Sequence, residues 1–275
     1  MSTAQPAGPA RPAPPARLRG ALAAGAPALA VGAAVVLLWQ LLVTATGVQS
    51  FILPSPTDIF GALLDELPTI LRDARVTLAA VLLGMALGGV SGLLGALLLT
   101  RLGRISGPLL TVAVILNCAP VVALAPIANN WLGVTSIWSK ACVAGLMVFF
   151  PVLVNTTRGL RDVDTLHLEL MSALAARPRH TLLLVRLPRS LPFFFNGLRL
   201  GAAASVIGVI VSEYFGGPSQ ALGVYIANQA ALSRFAETWA GVLAASVMGL
   251  ALFAVVAGCE SRLVPWQRHR HDGDT

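Results

Sequence analysis

Six apolar runs divide the chain. Leu, Val, Ala and Gly dominate residues 21–44, 77–100, 108–127, 139–155, 197–215 and 238–258, and polar, Arg-bearing segments separate them. About 20 apolar residues in a helix cross the hydrocarbon core of a bilayer. Each run is therefore read as a transmembrane helix. The fourth is short and contains Pro151, and it has room to tilt or to extend at either end. A β-barrel would need many alternating segments of about 10 residues instead. The expected fold is an all-α integral membrane protein with six transmembrane helices. A positively charged stretch precedes the first run, as in a signal peptide. The run is longer than the roughly 7–15 apolar residues of such a peptide, and it is read as an uncleaved span.

Composition supports this reading. Of 275 residues, 56% are hydrophobic and 11% are charged, whereas a soluble domain carries about 25% charge. So little charge cannot cover a water-facing surface. An ordinary soluble enzyme, a nucleic-acid-binding domain and a disordered regulator are excluded. The basic balance, +7 from 18 Arg and Lys140 against 12 acids, belongs to topology rather than to a nucleic-acid partner. With the N-terminus inside, 14 of these cations fall in inner segments. Arg72, Arg75, Lys140 and Arg234 fall outside, and Arg199 lies at a boundary. The excess of cations on the cytoplasmic side puts both termini inside. Residues 1–20 form a Pro-, Ala- and Arg-rich tail expected to be disordered, residues 21–262 the membrane domain, and residues 263–275 a polar cytoplasmic tail. Cys118, Cys142 and Cys259 lie in apolar stretches without metal-ligand spacing and are read as small buried hydrophobes.

Two loops are too long to be simple connectors. The outer loop, 45–76, holds Leu53-Pro54-Ser55-Pro56 and then an amphipathic segment, 57–71, expected to form a short helix capped by Thr57 or Ser55. The inner loop, about 158–196, predicts a helix over 164–176 with Asp164 or Thr165 as cap. Leu166, Leu170, Ala173 and Leu174 fall at helical spacing along it. A second helix is expected over 179–187, stopping near Pro188 and Pro192. From composition alone, such a hairpin either lies on the inner leaflet with its arginines on lipid head groups or docks into a partner.

The spacing in this loop resembles the signature of ABC importer permeases: Glu-Ala-Ala, three residues, Gly, nine residues, Ile, one residue, Leu-Pro. Glu169, Leu170 and Met171 occupy the first positions, Ala175 the Gly position, Val185 the Ile position, and Leu187-Pro188 the end. Ala at the Gly position is strained if the backbone there needs a positive φ. The resemblance continues through Ala119-Pro120-Val121-Val122-Ala123-Leu124-Ala125-Pro126, Trp131-Leu132-Gly133, Phe149-Phe150-Pro151, Asn196-Gly197-Leu198-Arg199 and Ser212-Glu213-Tyr214-Phe215-Gly216. The set is similar to the permease branch that serves nitrate, sulfonates, bicarbonate, and thiamine-pyrimidine or riboflavin-type compounds.

The resemblance implies a type I importer permease. Such a chain performs no bond chemistry, and ATP with Mg belongs to a partner. Two ATPase subunits, a soluble substrate-binding protein and a second permease copy are the implied partners, in a bacterial plasma membrane. Glu169, Leu170, Met171, Ala173, Leu174, Ala175, Leu187 and Pro188 would form the ATPase-docking loop. The residues themselves contain no Gly-x-x-x-x-Gly-Lys-Ser/Thr loop and no zinc-protease or nucleophile-elbow motif. Polar groups inside apolar spans face protein or water. Asn117, Pro120, Asn129, Asn130, Trp131, Ser205, Ser212 and Glu213 are therefore the translocation-pathway candidates, with helix–helix hydrogen bonding the alternative for Asn117 and an interfacial ion pair the alternative for Glu213. The Asn129-Asn130-Trp131 cluster leans toward a heterocyclic, vitamin-like solute over nitrate. Gly84, Gly88 and Gly92 mark close helix packing, within a chain or between two. A self-sufficient secondary transporter is the competing reading. The absence of mid-span acids and of an inverted repeat counts against it.

Overall fold

A computed structural model describes residues 16–50, 52–117 and 120–265, and these form helices and short connections. The chain divides into two compact units, 1–58 and 59–275. In the first, α1 (Ala16–Thr46) is one long apolar helix. Residues 16–20, expected in the tail, are its first turns. The remainder of that tail, residues 266–275 of the other, and Cys118 lie outside the described residues. The entry to α2 (Pro56–Asp65) is a reciprocal cap: Ser55 Oγ accepts from the Asp58 amide and Asp58 Oδ2 accepts from the Ser55 amide, both at 3.2 Å.

The second unit continues with α3 (Leu67–Arg101), α4 (Ser106–Asn117), α5 (Ala125–Leu132), α6 (Ile137–Arg161), α7 (Thr165–Ala173), α8 (Pro178–Thr181), α9 (Leu187–Tyr214), α10 (Leu222–Ala231) and α11 (Phe235–Leu263). Five helical stretches are long and apolar enough to cross a membrane: 29–46, α3, α6, the continuous Pro178–Tyr214 segment, and α11. The third expected span, 108–127, is not one of them. It is broken into α4, a 3-10 turn at Val121–Leu124, and α5. Pro120 lacks the amide proton that a continuous helix would need there, while Pro126 sits in the first turn of α5.

The expected stop near Pro188 and Pro192 is likewise corrected. Leu182–Arg186 widens into a π-helical turn in which the Leu187 amide reaches back to the Leu182 carbonyl. This turn joins α8 to α9, and Pro188 sits in the first turn of α9 instead of ending a helix. The widened ladder carries the chain past a residue that cannot donate. The fourth span does extend, by six residues beyond 155.

Small residues set the packing of α3 on α6 and of α6 on α9. A Cβ on Gly88 would lie 2.3 Å from the Gly145 carbonyl oxygen, and one on Gly84 would lie 2.4 Å from the Ala144 Cβ. Gly92 meets the Phe149 carbonyl in the same way, and Gly197 meets the Pro151 carbonyl. The glycine stripe of α3 thus packs within the chain. Val81, Met85, Val148, Val152, Val206 and Val209 fill the core between these helices. Outward residues such as Leu94, Leu98, Ile207, Leu250 and Val255 are more than half exposed, which fits a surface solvated by lipid. Cys142 and Cys259 are also exposed, not buried as their apolar surroundings implied.

Candidate functional site

Two polar clusters stand toward opposite ends of α3. At its C-terminal end, the connection after α6 folds into the α7–α8 hairpin. Asp164 caps α7, its carboxylate accepting from the Leu166 amide at 3.0 Å. The helix closes with two reversed bonds, Ala175 N–H to the Ser172 carbonyl and Ala176 N–H to the Met171 carbonyl, each 2.9 Å. This is a Schellman closure, which places the residue after the cap in the left-handed region. That residue is Ala175, at φ 50°. The strained case raised by Ala at a Gly position is the observed one.

No residue of α7 is buried. Leu166, Leu170 and Leu174 are 69%, 56% and 68% exposed and form one apolar stripe, with Glu169 and Ala173 exposed beside it. Met171 is half-buried and faces the other way, toward α8. Leu187 and Pro188 are half-buried at the start of α9. The hairpin is anchored by Arg189, which donates to the Asp162 carbonyl at 3.1 Å and pairs with its carboxylate at 3.5 Å. Arg161 also donates to Ser106 Oγ, tying α6 to α4.

At the other end, five helices share one buried network. Lys140, in the first turn of α6 and 1% exposed, donates to Asn129 Oδ1 at 2.9 Å, to Ser139 Oγ at 3.1 Å and to the Val134 carbonyl. Asn129 of α5 donates its amide to the Ser212 carbonyl at 3.0 Å and the Gly216 carbonyl at 3.2 Å. Next along α9, the Glu213 carboxylate accepts from Thr77 Oγ1 at 2.9 Å and from the Gly223 amide at 2.9 Å. Thr77 in turn accepts from the Leu222 amide at 3.0 Å. Each of the three orphan groups at risk here, a lysine, a glutamate and the start of α10, finds a partner. A cavity of about 370 Å³ opens beside the network, lined by Arg75, Ser136, Lys140 and Glu213 among others.

The structure therefore brings Asn129, Ser212 and Glu213 together, with their hydrogen bonds spent on protein groups. Ser205 is buried and donates to the Ala202 carbonyl at 2.8 Å. Asn117 at the end of α4, Pro120 between α4 and the 3-10 turn, and Asn130 and Trp131 of α5 are exposed, Trp131 by 79%. Lys140, counted as an outer-loop cation from its position, is the centre of the network. The signal was present: it is the sole lysine, and apolar residues follow it directly. Thr77 carried no such signal. Arg199 and Glu260 also went unpaired in the sequence reading. They join α9 to α11 at 3.2 Å, with Arg199 over the Phe253 ring. Among the described residues, no group of three or more His, Cys, Asp or Glu side chains converges on a metal-sized site.

Comparison with known proteins gives a consistent result. The family described as binding-protein-dependent transport system inner membrane component matches residues 67–269. The chain is 32% identical to the formylaminopyrimidine transport permease protein ThiX of Halalkalibacterium halodurans, over 84% of this chain and 92% of that one. It is 30% identical to the riboflavin transport system permease protein RibX of Chloroflexus aurantiacus, over 88% and 91% respectively. Among solved structures, the MetNI methionine ABC transporter in an inward-facing conformation matches with a TM-score of 0.57 at 16% identity, covering 73% of this chain and 97% of that chain. This last likeness concerns the fold.

Proposed function

The chain belongs to the family of binding-protein-dependent inner-membrane permease subunits of ABC importers, and from that premise we propose that it supplies half of the translocation pathway for a small planar nitrogen heterocycle. It is a multi-pass membrane protein whose work is transport; a self-sufficient secondary transporter is not favoured. A second copy of the chain completes the pathway. ATP and Mg are bound by a separate ATPase, two copies per importer, and a soluble binding protein delivers the solute at the outer face. The α7–α8 hairpin lies in the cytoplasm and the Lys140 network near the outer boundary, in the plasma membrane of a bacterium, with both chain termini inside.

The observation that carries the docking reading is the leucine stripe of α7. A helix capped at both ends, with no buried residue and three leucines exposed on one face, is built to be covered. Glu169 to Pro188 keep the family spacing around it. The absence of a phosphate-binding loop motif in the sequence supports a separate ATPase. The heterocycle reading is supported by the compounds named for two of the relatives, a formylaminopyrimidine and riboflavin. Asn117, Asn130 and Trp131 add exposed amides and an indole, groups that pair with and stack on such a ring.

The test is Leu170→Ala with Leu174→Ala in the full chain, co-expressed with the ATPase and binding protein of its importer. Membrane insertion persists, while ATPase co-purification and solute uptake are lost. Uptake equal to that of the unaltered chain overturns the docking role.

A further inference from the structure

Three arginines converge on one cavity at the hairpin end, and no carboxylate lines it. The space, about 690 Å³, opens between the last turn of α3 and the α7–α8 hairpin. Arg101, Arg179 and Arg186 line it together with the hydroxyl-bearing Thr100, Ser172 and Thr181. None of the three arginines forms an ion pair among the described residues, although Arg189 close by does so with Asp162. Converging guanidinium groups without a counter-charge repel one another, and their fork geometry matches phosphate oxygens. The volume is that of a small-ligand site.

Three further observations select the kind of phosphate. The first is depth. Thr77 and Arg101 lie on one unbroken helix, so about 36 Å of rise separates the outer network from Arg101. The hydrocarbon core is about 30 Å thick, which puts Arg101 at the level of the inner head groups. The second is continuity with lipid-facing surface. Arg101, Leu98 and Leu94 follow i+3 and i+4 spacing on one face of α3, and both leucines are about 60% exposed. An apolar track thus leads from the cavity mouth toward the bilayer centre, and a soluble anion has no use for it. The third is direction. Leu168, Met171 and Ser172 face the cavity, whereas Leu166, Leu170 and Leu174 form the opposite side of the same helix. If the stripe meets the ATPase, as proposed above, the cavity faces away from it.

We propose that this cavity binds the phosphate-bearing head group of an anionic phospholipid of the inner leaflet. The three guanidinium groups hold the phosphate oxygens, the hydroxyls of Ser172 and Thr181 complete the shell, and an acyl chain lies along Leu98 and Leu94. Bound there, the lipid props the hairpin against α3.

The test uses the full-length chain without ATPase, equilibrated with phosphatidylcholine vesicles doped with phosphatidylglycerol and then re-extracted in neutral detergent. Retained lipid is counted by mass spectrometry. The unaltered chain retains phosphatidylglycerol in strong preference to phosphatidylcholine. The variant Arg101→Gln, Arg179→Gln, Arg186→Gln loses about a hundredfold in that retention, as expected for three juxtamembrane cations. Inorganic phosphate at millimolar concentration leaves the lipid in place. No preference in the unaltered chain overturns the proposal whatever the variant does, as does undiminished retention by the variant. Displacement by inorganic phosphate would assign the cavity to a soluble anion, and one-for-one displacement by added ATPase would assign it to that partner. Either result overturns the lipid reading. Failure of the leucine-stripe test leaves this measurement unaffected, because the permease is assayed alone.

Discussion

Lys140 Nζ donates to Asn129 Oδ1 at 2.9 Å, and the amide of the same Asn129 donates onward to the carbonyls of Ser212 and Gly216. One lysine thereby orients an asparagine that joins α5 to the end of α9. The network holds one lysine and one glutamate, so it is neutral as a whole. Lys140→Met leaves three acceptors and Glu213 short of a cation. The expected cost is about 3 kcal/mol, or on the order of 10 °C in thermal midpoint for a chain of this size. Lys140→Met combined with Glu213→Gln costs less than the two single changes added together, because each single change strands the other's charge. Midpoints in detergent for the four proteins check this. Strict additivity would mean the two groups do not sense one another.

Neighbouring glycines on α3 make a sharper contrast. Gly88→Ala pushes a methyl group into the Gly145 carbonyl at 2.3 Å, while Gly89→Ala meets only Leu198 Cδ1 at 3.5 Å. Overpacking costs about 1–3 kcal/mol, and replacing Gly by Ala inside a helix gains up to about 1 kcal/mol where space allows. Gly88→Ala should therefore lower the thermal midpoint and the monodisperse yield, and Gly89→Ala should hold or raise both. Equal behaviour of the two variants contradicts the observed α3–α6 spacing.

Ala175 holds φ 50° at the end of α7. A left-handed alanine costs about 1–2 kcal/mol, part of which glycine returns as greater freedom in the unfolded chain. Ala175→Gly is expected to slow hydrogen exchange of the closing amides of residues 174–176 about fivefold, equivalent to about 1 kcal/mol. Faster exchange in the variant would show that the hairpin does not rest on this closure.

Arg199 and Glu260 form a partly buried pair between α9 and α11, with side-chain exposures of 28% and 13%. Arg199 lies twelve residues into α9, about 18 Å from its start. Glu260→Ala leaves a guanidinium in a mostly apolar setting and should cost about 3 kcal/mol. Arg199→Leu with Glu260→Leu should cost less than Glu260→Ala alone, since no charge is stranded. Thermal midpoints decide between this order and its reverse, and the reverse would mean that the pair itself stabilises the fold.

The order of apolar runs and the capping signals were legible along the chain because they are local. Bilayer thickness demands long apolar helices whatever their neighbours, so five of the six expected spans reappear as continuous helices. Asp164 ahead of α7 and Ser55 ahead of α2 act within three residues of themselves, and both caps are where the residue types point. The spacing from Glu169 to Pro188 carried the family for the same reason: it survives in a linear reading.

What tertiary structure decided lies between distant segments. Pro120 and Pro188 look alike on paper. The first stands between α4 and a 3-10 turn, while the second is carried through by a π-helical turn into α9, which packs along α6. Lys140 reads as a loop cation until Asn129, 11 residues back, and Glu213, far along the chain, are brought to the same end of the bundle. The polar residues at 129, 212 and 213 read as pore lining because a hydrophobicity pattern reports that a polar group is inside but not what it faces. Only helix packing, set by the close approach of Gly84, Gly88 and Gly92 to α6, turns them toward one another. Three arginines from segments about 80 residues apart likewise become one cationic cavity only when the hairpin folds back beside the end of α3.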